Sequence, residues 1–142
     1  MLAKWTEDLA TGHKVIDDQH RELYRRINDL LVAARRGKGK EEVGESIRYL
    51  SSYVLEHFRN EEKLQLECSY PDYSEHRKQH EQFRNELANL ITNLEIRGID
   101  YSTVIEALDM SIDWLARHIV ELDKPLALYL RNSSVKTTGK NS

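Results

Sequence analysis

The amino-acid sequence predicts an all-α protein: an up-down-up-down antiparallel four-helix bundle with an N-terminal arm. Three observations carry that expectation. Apolar residues recur at alternating spacings of four and three along four separate stretches, the pattern of a bundle helix with one buried seam. Only two prolines and six glycines interrupt 142 residues. Five of the six histidines, and one glutamate, fall on those same seams, where an unpaired polar group is costly to bury.

The first seam runs through Ile16, His20, Leu23, Ile27, Leu30 and Ala34. The run Arg36-Gly37-Lys38-Gly39-Lys40 separates it from the second, which passes through Val43, Ile47, Leu50, Val54, His57, Glu61 and Leu64. Tyr70-Pro71-Asp72 breaks the second helix from the third, and Asp72 with Glu75 forms a candidate capping box. The third seam holds His76, His80, Phe83, Leu87, Leu90 and Leu94, and Gly98 stops it. The fourth holds Val104, Leu108, Ser111, Leu115, His118 and Leu122, with Thr103 and Glu106 as a candidate cap. Short links make successive helices antiparallel neighbours. That order brings His20, His57 with Glu61, His76 with His80, and His118 to one end of the bundle.

Residues 1–15 form an arm that must cover something, since Leu2, Trp5 and Leu9 are apolar. One domain is expected over residues 1–131, and the polar stretch 132–142 is expected to be a disordered tail. Net charge is -3 and the basic residues are dispersed, so nothing favours nucleic acid. No apolar run approaches the roughly 18–20 residues of a membrane span. No secretory apolar segment is present near residue 1, and one cysteine excludes an internal disulfide framework. A cytoplasmic protein is expected.

The histidine spacings carry the chemistry. His57 and Glu61 are four residues apart, as are His76 and His80. Such a pair shares one helical face, with Cβ atoms about 5–6 Å apart, and suits two ligands on one metal ion. With His20, His118 and Asp123 the set reaches seven nitrogen and oxygen donors. Seven are too many for one ion and suit two, so a paired transition-metal site is expected. Asp123 lies five residues after His118, about 140° around an ideal helix. It reaches the site only if the helix loosens. Pro125 supplies a reason, because it disfavours helix at Lys124 and lacks a backbone donor. Outside this set, His13 is read as a solvated arm residue, Cys68 as a turn residue and Trp114 as core. Glu62, 100° off the seam, is read as a surface carboxylate, and Arg35 to Lys40 as a solvated loop.

The chain resembles the single-domain bacteriohemerythrins of the hemerythrin family. The residues that carry the match are Ile16-Asp17-Asp18-Gln19-His20, His57-Phe58-Arg59-Asn60-Glu61-Glu62, Tyr70-Pro71-Asp72-Tyr73 with His76 and His80, and Trp114-Leu115-Ala116-Arg117-His118-Ile119 with Asp123. The resemblance implies a non-haem diiron centre that binds O2. His76, His80 and His118 would hold one iron and His20 and His57 the other, with Glu61, Asp123 and an oxo or hydroxo group bridging both. A six-coordinate three-histidine iron is then full, and its partner keeps one open position for O2. Two ferrous ions, two carboxylates and one hydroxide leave a single positive charge, which an apolar interior tolerates better than a larger one. Leu115 and Phe58 are candidates to line the O2 pocket. Two positions depart from the pattern: Cys68, where relatives often carry an aromatic residue, and Gln65, where a methionine is common.

Ferritin-like diiron enzymes are ligated mainly by glutamates with Glu-x-x-His motifs. This imidazole-rich set favours a carrier, with no catalytic residue assigned. Reversible O2 binding for storage, delivery or sensing is therefore expected. The alternative is a diiron peroxidase, oxidase or nitric oxide reductase on the same scaffold. The partners expected are O2 and an oxygen-using enzyme as its recipient, with neither nucleic acid nor membrane, and the chain is expected to be a monomer.

Overall fold

The computed structural model describes residues 3–98 and 100–141, with the side chains of 40 and 133–141 outside the described set. An arm with one short 3-10 turn, Glu7–Leu9, leads into α1 (Lys14–Arg35), α2 (Lys40–Glu67), α3 (Tyr73–Arg97) and α4 (Tyr101–His118). A π-helical turn, Ile119–Asp123, joins α4 to α5 (Lys124–Asn141). The described residues contain no strand. α1 packs against α2 and α4, and α2 also packs against α3. This is the antiparallel four-helix bundle that the seams predict, with α4, the π turn and α5 together making the fourth rod. The tail expected over 132–142 falls largely on residues whose side chains lie outside the described set. No helix of the described residues is long and apolar enough to cross a membrane.

The seams bury as their spacing requires. Ile27, Leu30, Ala34, Val43, Ile47, Leu50, Leu94, Val104 and Leu108 join in one apolar cluster. Trp5 and Leu9 of the arm pack on that cluster. The arm is held at two points. Asn28 exchanges two 2.8 Å hydrogen bonds with the backbone of Ala3. Asp17 accepts from the backbone and hydroxyl of Thr11, each at 2.8 Å, and from Gly12. Arg21 lies 4.2 Å over the Trp5 ring.

The helix ends differ in detail from the sequence reading. Asp72 occupies the N-cap of α3, but its side chain makes no cap hydrogen bond, so the Asp72–Glu75 capping box does not form. At α4 the cap is Asp100, which accepts from the Thr103 amide, rather than Thr103 with Glu106. Asp100 lies one turn earlier, where its carboxylate reaches the first free amides. His13 caps α1 by accepting from the Ile16 amide at 3.3 Å. Gly98 closes α3 with a φ of 80°, the conformation that glycine takes without a Cβ clash.

α2 ends in a Schellman turn. The Tyr70 amide donates to Gln65 O at 2.9 Å and the Ser69 amide to Leu66 O at 3.3 Å. Ser69 holds φ at 56°, the only positive value among the described non-glycine residues. A left-handed L-residue costs about 1–2 kcal/mol. Ser69→Gly removes that cost and adds about 0.5–1 kcal/mol of chain entropy to the unfolded state. The expected net effect is a stabilisation of roughly 0.5 kcal/mol, read as a higher denaturation midpoint in guanidinium; a lower midpoint contradicts this account of the turn.

Candidate metal centre

Every predicted ligand lies at one end of the bundle, and all seven are buried, with none more than 2% exposed. Each helix delivers its donors from the seam that its apolar residues set. α1 brings His20, α2 brings His57 and Glu61, α3 brings His76 and His80, and α4 ends on His118. The π turn places Asp123. Its defining bond runs from the Lys124 amide to Ile119 O, one residue wider than an α-turn. The widening swings Asp123 back onto the His118 face. Here the sequence expectation of a loosened helix holds, with one difference: Lys124 stays helical, with φ -63° and ψ -48°. Pro125 follows the widened turn instead of ending the helix, since its missing N–H removes one bond from a ladder already out of α register.

The donors form two overlapping groups. One contains Glu61, His76, His80, His118 and Asp123; the other contains His20, His57, Glu61 and Asp123. Within each group the ligating atoms lie within 4.8 Å of one another. Glu61 and Asp123 belong to both. Asp123 turns Oδ2 to His20 Nε2 at 2.9 Å and Oδ1 to His76 Nε2 at 2.9 Å and His118 Nε2 at 3.2 Å. Glu61 Oε1 stands 3.2 Å from His57 Nε2 and 3.4 Å from His80 Nε2. Two carboxylates thus lie between a three-imidazole group and a two-imidazole group.

The donor set fits a metal on three observations. Nε2 of His76 and His80 each lie 3.1 Å from His118 Nε2, a convergence of nitrogens that a cation satisfies better than shared protons. All four oxygens of Glu61 and Asp123, together with His20 Nε2, are buried without a partner in hydrogen-bond geometry, although they lie at ion-pair distance from imidazoles. Buried carboxylates of that kind are stable only when a positive charge meets them. Finally, the carboxylates are held ionised. Burial pushes the pKa of Asp123 up, but His118, His20 and His76 outweigh it and the pKa lies well below the usual range. Burial and the Asp123 charge oppose ionisation of Glu61, and His57 and His80 reverse that too.

Around the donors lies a set of outer partners that the sequence reading missed. His57 Nδ1 meets Gln19 Oε1 at 2.6 Å, and Asn60 also donates to that oxygen. His80 Nδ1 meets Glu62 Oε2 at 2.9 Å, and His118 Nδ1 meets Gln79 Oε1 at 3.3 Å. His76 Nδ1 meets the Gln65 amide at 3.0 Å. An acceptor on Nδ1–H leaves the Nε2 lone pair free for a metal. Glu62 is therefore not the surface carboxylate that its position off the seam suggested. It turns inward to His80 and is shared with Arg84. Gln65 was legible, because it continues the four-residue spacing of His57 and Glu61. Gln19, Glu62 and Gln79 lie off the seams, and spacing carried no signal for them. Phe58 stacks on His80 with ring centroids 3.8 Å apart, and Trp114 stacks on His118 at 4.5 Å. Trp114 is thus both core and a wall against a ligand. Leu115 is buried one turn before His118. His13 takes no part in either group, and burial raises the pKa of the free Cys68 thiol, which makes it less nucleophilic.

A family model described as the hemerythrin HHE cation binding domain matches residues 11–127. The chain belongs to the hemerythrin family. A bacteriohemerythrin of Stenotrophomonas maltophilia is 36% identical over 118 residues, 83% of this chain and 74% of that protein. A myohemerythrin of Sipunculus nudus is 26% identical over 119 residues, 84% of this chain and 86% of that protein. A wild-type hemerythrin crystal structure superposes with a TM-score of 0.85 at 27% identity, covering 92% of this chain and 98% of that one. The hemerythrin matches span the arm's end, all four ligand-bearing helices and the π turn.

The two-group geometry makes ligand losses unequal. Glu61→Ala removes a donor common to both groups, so both metals are expected to be lost or weakened. His13→Ala removes only a helix cap and is expected to leave metal content unchanged. Metal analysis after iron loading checks this. Iron stripped by His13→Ala but retained by Glu61→Ala is the result that breaks the ligand assignment.

Proposed function

We propose that this chain binds O2 reversibly at two irons, held by His76, His80 and His118 on one side and by His20 and His57 on the other. Glu61 and Asp123, common to both donor groups, would be shared between the two irons. The observation that carries the reading is the unequal division of five imidazoles about two shared carboxylates. Three imidazoles and two carboxylates would leave little room on one metal, while two imidazoles and two carboxylates would leave an extra position on the other. A bound iron pair supplies electrons that O2 accepts and returns.

The protein's part is to orient and to exclude. Acceptors on three of the five Nδ1 atoms, those of His57, His80 and His118, fix which nitrogen faces the metals. Phe58 and Leu115 are proposed to line the O2 pocket and keep water out. Glu62 is not free to deliver a proton: burial opposes its ionisation, but His80 and Arg84 outweigh this and hold its pKa below the usual range. A carrier benefits from that restraint, since a proton delivered at the site would favour reduction of O2 over its release. Storage, delivery to an oxygen-using enzyme and sensing all build on the same chemistry, and bacteriohemerythrin and myohemerythrin relatives support the reading.

Two outcomes test it. The reduced, iron-loaded protein is expected to gain a visible absorption band in air and lose it under argon, with most of the reduced form recovered in each cycle. Steady turnover of peroxide or nitric oxide with a reductant, and no recoverable oxygenated form, selects the diiron-enzyme reading instead. Leu115→Ala is expected to speed irreversible oxidation several-fold by admitting water and anions. An unchanged rate with iron fully loaded removes Leu115 from the pocket.

A further inference from the structure

The outer partners of the three-imidazole group are not alike. His80 is met by a carboxylate, Glu62, whereas His76 and His118 are met by the neutral amides of Gln65 and Gln79. Gln65 is the deepest of these. Its side chain has no exposed surface, and it spans from α2 to a ligand on α3. A buried glutamine is costly unless its amide is used. Here the amide has one use: Gln65 Nε2 and His76 Nδ1 lie 3.0 Å apart, and Oε1 has no partner.

An amide offers an oxygen and an NH2 group of nearly the same size, so the imidazole it faces decides which end is presented. His76 Nε2 points at Asp123 Oδ1, 2.9 Å away, and converges with His118 Nε2. With a metal bound it would be the coordinating nitrogen, and the ring proton would then sit on Nδ1. Only Oε1 can accept that proton. Turning the amide about would present Oε1 to that proton and place Nε2 where Oε1 now lies. The position of Gln65 is itself fixed. Its carbonyl accepts from the Tyr70 amide and, at 3.6 Å, from Cys68 Sγ in the Schellman turn. Tyr70 is buried edge-on against Tyr129, whose hydroxyl donates to Cys68 O. The end of α2 is thus clamped between α3 and α5, and the amide has little freedom to leave His76.

We propose that Gln65 is a positioning residue that fixes the tautomer of His76 and, as a neutral acceptor, limits how strongly that imidazole donates to its metal. The inference rests on the diiron reading above. A carboxylate on Nδ1–H pushes electron density to Nε2 and favours the oxidised metal; a neutral amide does so less. Glu62 already gives His80 the stronger acceptor. A second carboxylate in the same group would favour oxidation further and oppose the return of bound oxygen. The amide keeps the ligand oriented without that bias.

The test compares Gln65→Leu and Gln65→Glu in the full chain. Leu has nearly the volume of Gln and removes the partnerless amide atom, but it leaves the buried His76 Nδ1 without its partner, so the unfolding midpoint of the protein without added metal is expected to change little or fall slightly. Affinity for Zn2+, measured by chelator competition, is expected to fall by about 10–100-fold for Gln65→Leu. A slowly exchanging His76 Nδ1 proton, seen by NMR in the zinc-loaded wild type, is expected to vanish. In the iron-loaded protein the reduction potential is expected to move up for Gln65→Leu and down for Gln65→Glu. Potentials that move the same way, or zinc affinity that falls only as far as metal-free stability does, overturn the proposal and make Gln65 a packing residue. The zinc and NMR measurements involve neither iron nor O2. Failure of the O2 reading with these results intact therefore leaves the role of Gln65 standing.

Discussion

Two negative charges buried where four helices meet govern this molecule. Glu61 and Asp123 have no exposed surface and no donor in hydrogen-bond geometry, a state that is unfavourable unless positive charge answers it. The five imidazoles around them are arranged for that answer, since Nε2 of every one faces inward. The helices, the outer hydrogen bonds and the aromatic walls can all be read as means of keeping these two carboxylates ionised, fixed and dry until cations bind.

The scaffold and the site share one pattern. The apolar seams that hold the far end of the bundle together continue into the ligand end, and the histidines occupy the seam positions that leucine and isoleucine fill elsewhere. The bundle therefore needs no special element to present its donors, with one exception. A straight α-helix cannot carry both His118 and an aspartate five residues later on one face. The π turn Ile119–Asp123 resolves this by one extra residue in the hydrogen-bonded ring, and Pro125 directly after it fits a ladder already displaced.

Asymmetry appears in the outer partners as well as in the histidine count. His20 Nδ1 has no partner, while the three imidazoles of the larger group each have one. The larger group is the more tightly oriented, and its walls, Phe58 on His80 and Trp114 on His118, stack directly on ligand rings. Rigidity on one side and a freer side opposite it suit the proposed centre, in which one metal would keep a position open.

The sequence by itself determined the four helices, their antiparallel order and six of the seven candidate ligands, because seam spacing and helix breakers are local and each of those six sat on a seam that its apolar neighbours defined. It also required a loosened helix before Pro125, since Asp123 was 140° out of register without one. Tertiary structure alone decided the π form of that loosening and the outer hydrogen-bond partners Gln19, Glu62 and Gln79. Glu62 illustrates why. One residue beyond Glu61 it points away from its own seam, and only the approach of α3, with His80 and Arg84, makes that direction an interior one. Gln19 and Gln79 meet histidines on other helices for the same reason: a partner across a helix interface leaves no period in either helix's own sequence.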